Sequence, residues 1–188
     1  MKLMVTGAKG LVGSAISRIN SKFDLISVFL EDLRDKNQVI NIFDTYRPDY
    51  VIHTAAKVGG VGGNKNFPAI YFYDNILMNT NIIDTAYKFN VKKLMVFSSV
   101  CAFPDKIPIL KENLLHSGEP SVFNTEYAYA KRMVDIQIQA YQKQYNVKNY
   151  CSIIPVNIFG INDKYNIEYG HVIPSLIHKL FIAKLHNK

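Results

Sequence analysis

The sequence predicts an α/β fold in which helices cover both faces of an open, doubly wound parallel sheet. Two observations predict it. Short apolar runs alternate along the chain with longer segments of helical period, and the short runs are continuous Val, Ile, Leu and Met stretches rather than alternating ones. Strands that are buried on both faces have this composition. The βαβα order then implies parallel strands joined by right-handed crossovers.

The same pattern predicts the individual elements. Strands are expected at 2–6, 24–29, 49–54, 92–98 and 149–155, and helices at 11–21, 35–46, 67–89, 125–145 and 174–185. A chain of 188 residues is long enough for one domain with a proper core and short for two. We therefore predict one domain over residues 1–188.

Composition and charge exclude several classes of protein. An apolar content of 48% and a mean hydropathy near zero are typical of globular chains and argue against disorder. The apolar start is broken by Thr6, Gly7 and Lys9, too early for a signal-peptide core, and no run approaches the ~18 apolar residues that a spanning helix needs. We expect no membrane association and a cytoplasmic location.

The net charge of +7 raises the question of nucleic-acid binding, but the lysines are spread along the chain without a nucleic-acid motif. We interpret the charge as a solvated surface with some attraction for a phosphorylated small molecule. Cys101 and Cys151 make neither a metal-binding pair nor a disulfide framework, so a reducing compartment and no metal site are expected.

A glycine-rich turn joins the first predicted strand to the first predicted helix. Residues 7–13 read GAKGLVG, the pattern G-x-x-G-x-x-G in the strand–turn–helix context that gives it meaning. Gly7 permits the tight turn, Gly10 lets the backbone approach a pyrophosphate, and Gly13 allows close packing of helix on strand. The helix N-terminus offers free N–H groups to phosphates. A ligand-free turn is the alternative, but this context favours a Rossmann-type NAD(P)-binding fold.

The motif does not decide which dinucleotide binds. An acidic residue ~20 positions past the glycines bonds the adenosine ribose and favours NAD, and Glu31 and Asp32 lie near that place. Lys9, inside the glycine turn, can instead meet a 2′-phosphate. Both alternatives stay open at this point.

A serine, a tyrosine and a lysine form a second constellation. Ser99 follows the fourth strand, at the edge of the sheet where open α/β ligand sites lie. Tyr127 and Lys131 are four residues apart on a predicted helix and share one face, whereas Tyr129 faces elsewhere. A neighbouring ammonium favours the ionised phenol, so Lys131 is expected to make Tyr127 a workable general acid or base. Tyr-x-x-x-Lys also occurs by chance on surface helices. It indicates a catalytic site here because the glycine turn and the serine accompany it.

Together these elements resemble the extended branch of the short-chain dehydrogenase/reductase superfamily, and within it the GDP-L-fucose synthases. The resemblance rests on AAKVGG at 55–60, SVCAFPDK at 99–106, YAYAKRM at 127–133, IPVNIFG at 154–160 and GHVIPSLIHK at 170–179. It implies 3,5-epimerisation of GDP-4-keto-6-deoxy-D-mannose and NADPH-dependent reduction of its C4 ketone. It also implies a homodimer formed through the helices at 67–89 and 125–145. NADP is the expected cofactor and NAD the less favoured one.

The resemblance assigns roles to individual residues. Ser99, Tyr127 and Lys131 would form the reduction triad, with Cys101 and His171 as the acid/base pair for epimerisation. Asn75 would support the cofactor side of the site, the alternative being a polar residue that faces solvent in mid-helix. The cofactor contacts implied are Gly7, Lys9, Gly10, Leu11, Val12, Gly13, Asp32, Leu33, Ala55, Ala56, Lys57, Asn75, Tyr127, Lys131, Pro155, Asn157, Ile158 and His171. Substrate contacts are implied at Ser99, Val100, Cys101, Asn157 and Lys179.

The sequence departs from that family in two places. Family members continue with a C-terminal substrate lobe, so this chain is expected to hold only its beginning, at about 160–188, and to be a fragment or a shortened protein. The loop after the second strand is also short, so that Asp32 and Leu33 match the adenine-flanking segment and the NAD argument from Glu31 weakens. Two alternatives remain: another sugar-nucleotide epimerase or reductase, and a truncated dinucleotide-binding protein without catalysis.

Overall fold

A computed structural model describes residues 1–19 and 22–186, and in it five strands form one parallel sheet. The strands are β1 (Lys2–Thr6), β2 (Asp24–Val28), β3 (Tyr50–His53), β4 (Lys93–Phe97) and β5 (Tyr150–Ile153). Their order in the sheet is β2-β1-β3-β4-β5, and each neighbouring pair is parallel. The predicted doubly wound α/β fold is confirmed.

Six helices connect or follow these strands in the described part of the chain. They are α1 (Leu11–Ile19), α2 (Lys36–Tyr46), α3 (Val61–Asn66), α4 (Pro68–Lys88), α5 (Thr125–Tyr145) and α6 (Val172–Leu185), with two short 3₁₀ turns at Val100–Ala102 and Glu112–Leu114. Five of the helices match the predicted ones to within two residues, and α3 was not predicted. The last two residues of the predicted helix 11–21 lie outside the described residues.

Local signals explain where several helices begin and end. Asp35 caps α2 by accepting hydrogen bonds from the backbone N–H groups of Asn37 and Gln38. Arg47 ends the same helix in the left-handed region, with φ of 47°. Pro68 begins α4, where its missing N–H costs nothing. Such caps fix the lengths of the crossovers and so the loops that lead to the site.

The core lies on both faces of the sheet. On β1, Met4 packs into the larger cluster, which α2, α4 and α5 complete with residues such as Phe43, Ile82 and Val134. Leu3 and Val5 belong to the smaller cluster on the opposite face, together with Ile16 of α1. Alternate residues of one strand therefore face different helix layers. Among the described residues no helix is both long and apolar enough to cross a membrane.

The strand order reverses beside β1, and this sets the place of the site. The chain leaves β1 toward β2 on one side of the sheet, whereas β3 pairs with the other side of β1. In open α/β sheets such a switch point leaves a crevice at the carboxyl ends of the two strands. Here that crevice lies between Gly7, after β1, and Ala55, after β3.

Candidate active site

The glycine turn after β1 is held by close backbone contacts. Gly7 has φ of +69°, and a Cβ on it would lie 2.7 Å from the backbone nitrogen of Ala55. A Cβ on Gly13 would lie 2.3 Å from the carbonyl oxygen of Gly7, so α1 packs directly on the turn. Gly10 differs, because its Cβ would meet only the Gly7 oxygen, at 3.3 Å. The backbone at Gly10 is therefore open toward the crevice, as a pyrophosphate requires.

Two adjoining cavities follow the crevice. The smaller has a volume of about 230 Å³ and the larger about 1020 Å³. Both are lined by Gly7, Gly10, Ala55 and Met78, so they form one continuous groove over the switch point. Together they are large enough for a ligand longer than a single nucleotide.

The smaller cavity collects the residues expected near the adenosine. Lys9, Asp32 and Leu33 line it, as do Phe29 and Glu31. The Lys9 ammonium lies 4.1 Å from the centre of the Phe29 ring. Hydrogen bonds from Arg34 lower the pKa of Asp32 to about 2, so this carboxylate is charged at neutral pH. A cation and an anion thus share the pocket.

The larger cavity brings together most of the predicted site. Its walls include the following predicted residues: Gly7, Gly10, Leu11, Val12, Ala55, Ala56, Lys57, Ser99, Val100, Cys101, Tyr127, Lys131, Pro155, Asn157, Ile158 and His171. They come from six separate stretches of the chain, which the parallel strands bring to one edge of the sheet. All five residues of the predicted catalytic set are among them.

Tyr127 and Ser99 occupy the centre of this wall. Ser99 precedes the 3₁₀ turn that carries Cys101, and its Oγ accepts a hydrogen bond from the Cys101 backbone N–H at 3.2 Å. Burial raises the pKa of Tyr127 above its ordinary value, the nearby Cys101 adds to this, and a hydrogen bond with Ser99 opposes it. The expectation that Lys131 lowers the pKa of this phenol is therefore not met in the chain alone, because burial dominates.

Lys131 points into the interior of the site. It is 2% exposed, and its Nζ donates a hydrogen bond to the carbonyl oxygen of Phe97 at 2.8 Å. Burial lowers its pKa to about 8. Its own carbonyl oxygen accepts from the Ser98 hydroxyl at 3.0 Å, which fastens α5 to the end of β4.

His171 is held at the cleft by the loop before α6. The Gly60 N–H donates to the Tyr169 carbonyl at 3.0 Å, and a Cβ on Gly60 would lie 2.8 Å from the Gly170 oxygen. The loop after β3 and the loop before α6 therefore pack backbone to backbone. His171 Nδ1 lies 3.9 Å from Asp163 Oδ1, and the histidine side chain remains 53% exposed.

Asn75 is fully buried in α4 and bonds the loop that carries Lys57. Its Oδ1 accepts from the Lys57 N–H at 3.1 Å, and its Nδ2 donates to the carbonyl oxygens of Lys57 at 3.0 Å and Tyr71 at 2.7 Å. It therefore neither faces solvent nor lines either cavity. It fixes the backbone at Lys57, whose side chain lies 3.9 Å from buried Asp74.

Three predicted residues line neither cavity, and several unpredicted ones do. Asn75 and Gly13 lie behind the wall, and Lys179 is exposed on α6 and lines neither cavity. The larger cavity is also lined by residues that were not predicted: Arg34, Asn64, Asp74, Asn124 and Asp163. No motif marks these positions, although Asn124 is only three residues before Tyr127.

The comparison with family models decides the class. The model described as the NAD dependent epimerase/dehydratase family matches residues 3–184. The chain belongs to this family. The fold, the glycine turn and the cleft at the switch point are the parts of the molecule that this membership explains.

Individual relatives narrow the similarity. The chain is 39% identical to a GDP-L-fucose synthase of Dictyostelium discoideum and 33% identical to that of Escherichia coli, in each case over 99% of this chain and 60% of the relative. A crystal structure of a GDP-L-fucose synthetase from Naegleria fowleri bound to NADP superposes with a TM-score of 0.89 at 42% identity. That match covers 100% of this chain and 63% of the other. The chain thus spans about 60% of the length of the relatives it matches.

Proposed function

We propose that this chain carries the coenzyme-binding and catalytic part of a GDP-L-fucose synthase. The reaction would convert GDP-4-keto-6-deoxy-D-mannose to GDP-L-fucose by epimerisation at C3 and C5 and reduction at C4. The observation that supports it most is the convergence of Ser99, Cys101, Tyr127, Lys131 and His171 on one cleft beside the glycine turn. The similarity to the GDP-L-fucose synthases of Dictyostelium discoideum and Escherichia coli points the same way.

The residues of the groove fit a nicotinamide dinucleotide. Gly10 leaves the backbone open, and the N-terminal N–H groups of α1 lie beside it for the pyrophosphate. Lys9 in the smaller cavity supplies a cation for a 2′-phosphate, and the NADP bound to the Naegleria fowleri structure supports the same choice of coenzyme. NADPH, when bound, supplies the hydride for the C4 ketone.

Ser99 and Tyr127 would serve the ketone oxygen. Both hydroxyls can donate hydrogen bonds to it, and Tyr127 would give its proton to the alkoxide as the hydride arrives at C4. The raised pKa of buried Tyr127 keeps the phenol protonated at neutral pH, which is the state that a proton donor needs. Lys131, buried beneath it, would hold the substrate side of the site in place through Phe97.

Cys101 and His171 would exchange the protons at C3 and C5. Both carbons lie next to the ketone, so their protons are acidic, and the enolate oxygen would again lie against Ser99 and Tyr127. One group takes a proton from one face of the ring and the other returns a proton to the opposite face. Cysteine and histidine have reference pKa values near 8.5 and 6.5, so both can exchange protons near neutrality.

A reactive thiol at Cys101 also bears on location. Both cysteines are free thiols. An acid/base role for Cys101 requires that it stays reduced, which favours the cytoplasm over an oxidising compartment. We also propose that residues at about 160–188, from the loop before His171 to α6, begin the substrate-binding region.

Another sugar-nucleotide epimerase or reductase of the same family is the second candidate. Its support is the shared fold and the shared serine, tyrosine and lysine. Within this second group, the pair Cys101 and His171 argues against a simple 4-epimerase, because that reaction does not need a second acid/base pair.

The reduction is tested by Tyr127→Phe. The chain is incubated with NADPH and GDP-4-keto-6-deoxy-D-mannose, and the loss of NADPH absorbance is followed. We expect Tyr127→Phe to slow the reaction about a thousandfold, since a positioned general acid contributes on that order. Tyr129→Phe is the matched control, because Tyr129 bonds Glu119 outside the cleft. NADPH binding without turnover in the wild-type chain would contradict the proposal.

The epimerisation is tested separately by proton exchange. In deuterated solvent the C3 and C5 protons of the substrate are followed by NMR. Exchange should survive in Tyr127→Phe and disappear in Cys101→Ser, while Cys151→Ser behaves as the wild type. Equal exchange in Cys101→Ser and the wild type would remove Cys101 from the mechanism.

A further inference from the structure

Three buried oxygen atoms that line the cleft have no hydrogen-bond partner among the residues that the structure describes. They are Asn64 Oδ1, Asn124 Oδ1 and Asp163 Oδ2, and all three residues line the larger cavity. Asn64 is 8% exposed, and the side chain of Asp163 is 6% exposed. Buried polar atoms are rarely left unpaired in folded proteins, so three in one cleft ask for an explanation.

The three residues lie on segments that carry or contact the predicted catalytic groups. Asn124 directly precedes α5, three residues before Tyr127. Asp163 Oδ1 lies 3.9 Å from His171 and accepts from the Lys164 N–H at 2.7 Å, which leaves Oδ2 free. Asn64 lies on α3, which packs on the loop before His171, since a Cβ on neighbouring Gly62 would lie 3.2 Å from the Glu168 oxygen.

The local bonds of Asn64 fix which of its atoms is left over. Its Nδ2 donates to the Gly59 carbonyl at 3.2 Å, so the amide is anchored by its nitrogen and its oxygen is the free group. The cluster therefore consists of acceptors. A phosphate has only acceptors to offer at neutral pH and is not complementary to it, whereas a ligand with several hydroxyl groups is.

We propose that Asn64, Asn124 and Asp163 accept hydrogen bonds from the hydroxyl groups of the substrate's hexose. This inference rests on the proposed function and adds to it the residues that hold the sugar ring over the catalytic groups. Each acceptor is buried in the chain alone, so a hydroxyl reaches it when side chains of the cleft wall adjust around the bound hexose, as side chains at binding surfaces commonly do. The diphosphates remain with the backbone donors at the glycine turn, and the hexose lies with the acceptors.

Two properties of Asp163, its charge and its free oxygen, can be tested separately. Its charge faces His171, and its free oxygen is one of the three acceptors. Asp163→Asn removes the charge and keeps an oxygen acceptor, whereas Asp163→Leu removes both. If the acceptor matters for the hexose, Asp163→Asn retains sugar binding that Asp163→Leu loses.

The test uses saturation-transfer NMR on the whole chain with NADP⁺ bound, because the oxidised coenzyme has no hydride to transfer to the probe. The probes are GDP-4-keto-6-deoxy-D-mannose, GDP-D-mannose and UDP-D-glucose. In Asn64→Leu and Asn124→Leu we expect transfer to the hexose protons of the first probe to require about tenfold more ligand, on the order of one lost hydrogen bond that leaves a hydroxyl unpaired. Asn124→Asp keeps the oxygen and should restore it. Asn41→Leu, exposed on α2, is the control.

NADPH affinity and melting temperature are measured in every variant and should stay close to the wild type. If they fall together with sugar binding in the leucine variants, the side chains are structural and the inference is wrong. It is also wrong if the first probe binds the wild type and all variants alike, and the proposed function then stands. If only another probe binds and the leucine variants lose it, the inference holds and the proposed substrate is wrong. No transfer to any hexose in the wild type overturns both.

Discussion

Lys131 is a charged side chain kept in the protein interior, and its burial has a cost that pH can reveal. Its ordinary pKa of 10.5 is lowered to about 8 by burial. Between these two values the unfolded chain binds more protons than the folded chain, so the free energy of unfolding rises with pH. Below about pH 8 the full cost is present, about 3 kcal/mol for a shift of this size.

Replacing Lys131 by methionine removes that pH dependence. Between about pH 7.5 and about pH 9.5 the wild type should gain about 2 kcal/mol of unfolding free energy relative to Lys131→Met, because its ammonium loses the proton that burial disfavours. Urea denaturation at several pH values measures the free energy of unfolding of both proteins. The difference between them excludes the contribution of the tyrosines, because these titrate in both proteins. Parallel stability profiles would show that Lys131 is not charged and buried at neutral pH.

His53 is the opposite case, a buried titratable group that stays neutral. It is 1% exposed, its Nδ1 lies 2.6 Å from Thr6 Oγ1, and its Nε2 lies 3.1 Å from Asn79 Oδ1. Burial, and secondly the charge of Lys131, lower its pKa from 6.5 to about 3. As pH falls below 6.5 only the unfolded chain takes up the proton, so stability is lost on the acid side.

The loss of stability at acid pH should disappear when His53 is replaced by a residue without an imidazole. Between about pH 7 and about pH 5 we expect the wild type to lose about 2 kcal/mol more than His53→Leu, which keeps an apolar side chain but has no group to protonate. Urea titrations of both proteins at the two pH values give the comparison, whatever the difference in their absolute stabilities. An equal loss in the two proteins would contradict the low pKa of His53.

Candidate site residues could be identified from the sequence, but the surroundings that determine their properties could not. Spacing placed Tyr127 and Lys131 on one helix face, yet the pKa of Tyr127 depends on burial by elements far apart in the chain. Asn75 was expected either to support the cofactor side of the site or to face solvent, and in the structure it is buried and bonds the Lys57 backbone. Such pairings depend on tertiary contacts across 18 residues that no local pattern encodes.

At the scale of elements, the regular parts followed the sequence most closely. Helix α5 has the predicted bounds, Thr125–Tyr145, because apolar spacing and polar flanks agree there. Strand β1 has the predicted bounds, and the other four strands are shorter than predicted by one to three residues, because the predicted segments run past the paired residues, as at Thr54 after β3. Helix α3 was missed because its sequence VGGNKN contains two glycines, which are poor helix formers.

Two glycines at the junction of β1 and α1, Gly10 and Gly13, have different roles. A methyl group at Gly13 would collide with the Gly7 backbone at 2.3 Å, whereas at Gly10 it would meet one atom at 3.3 Å and otherwise enter the groove. Gly13→Ala should therefore lower the free energy of unfolding by about 2 kcal/mol or more, as overpacking in a tight core does. Gly10→Ala should leave stability nearly unchanged and weaken NADPH binding. Thermal unfolding and fluorescence titration with NADPH distinguish them, and equal effects in both assays would contradict the division.

At the scale of the whole molecule, the sequence predicted where the cleft lies but not all of the polar side chains that line it. The switch point follows from strand order and the glycine turn, and both are legible in the sequence. Asn64 on α3, Asn124 directly before α5 and Asp163 in the loop before α6 line one cavity because the parallel strands bring these connections to one edge of the sheet. Because no motif marks such a polar residue, it cannot be distinguished in the sequence from one that only faces solvent.

Two long helices on one face of the sheet leave apolar side chains uncovered. On α4, Ile70 is 47% exposed and Tyr73 is 61% exposed, and on α5 Met133 and Ile136 are each 43% exposed. The other sides of both helices supply the larger core cluster, so these residues point away from the sheet. Apolar surface concentrated on adjacent helices is a mark of a protein–protein contact.

We predict that these two helices form the interface of a homodimer. In a two-fold interface each substitution occurs twice, so Tyr73→Lys or Ile136→Lys places like charges near one another in an apolar contact and should shift the protein to monomer. Sedimentation velocity over a range of concentrations measures the change. Ile19→Lys is the control, since Ile19 is 80% exposed on α1, which packs on the other face of the sheet. A wild type that sediments as a monomer, or a dimer that only Ile19→Lys disrupts, would rule out an interface built from α4 and α5.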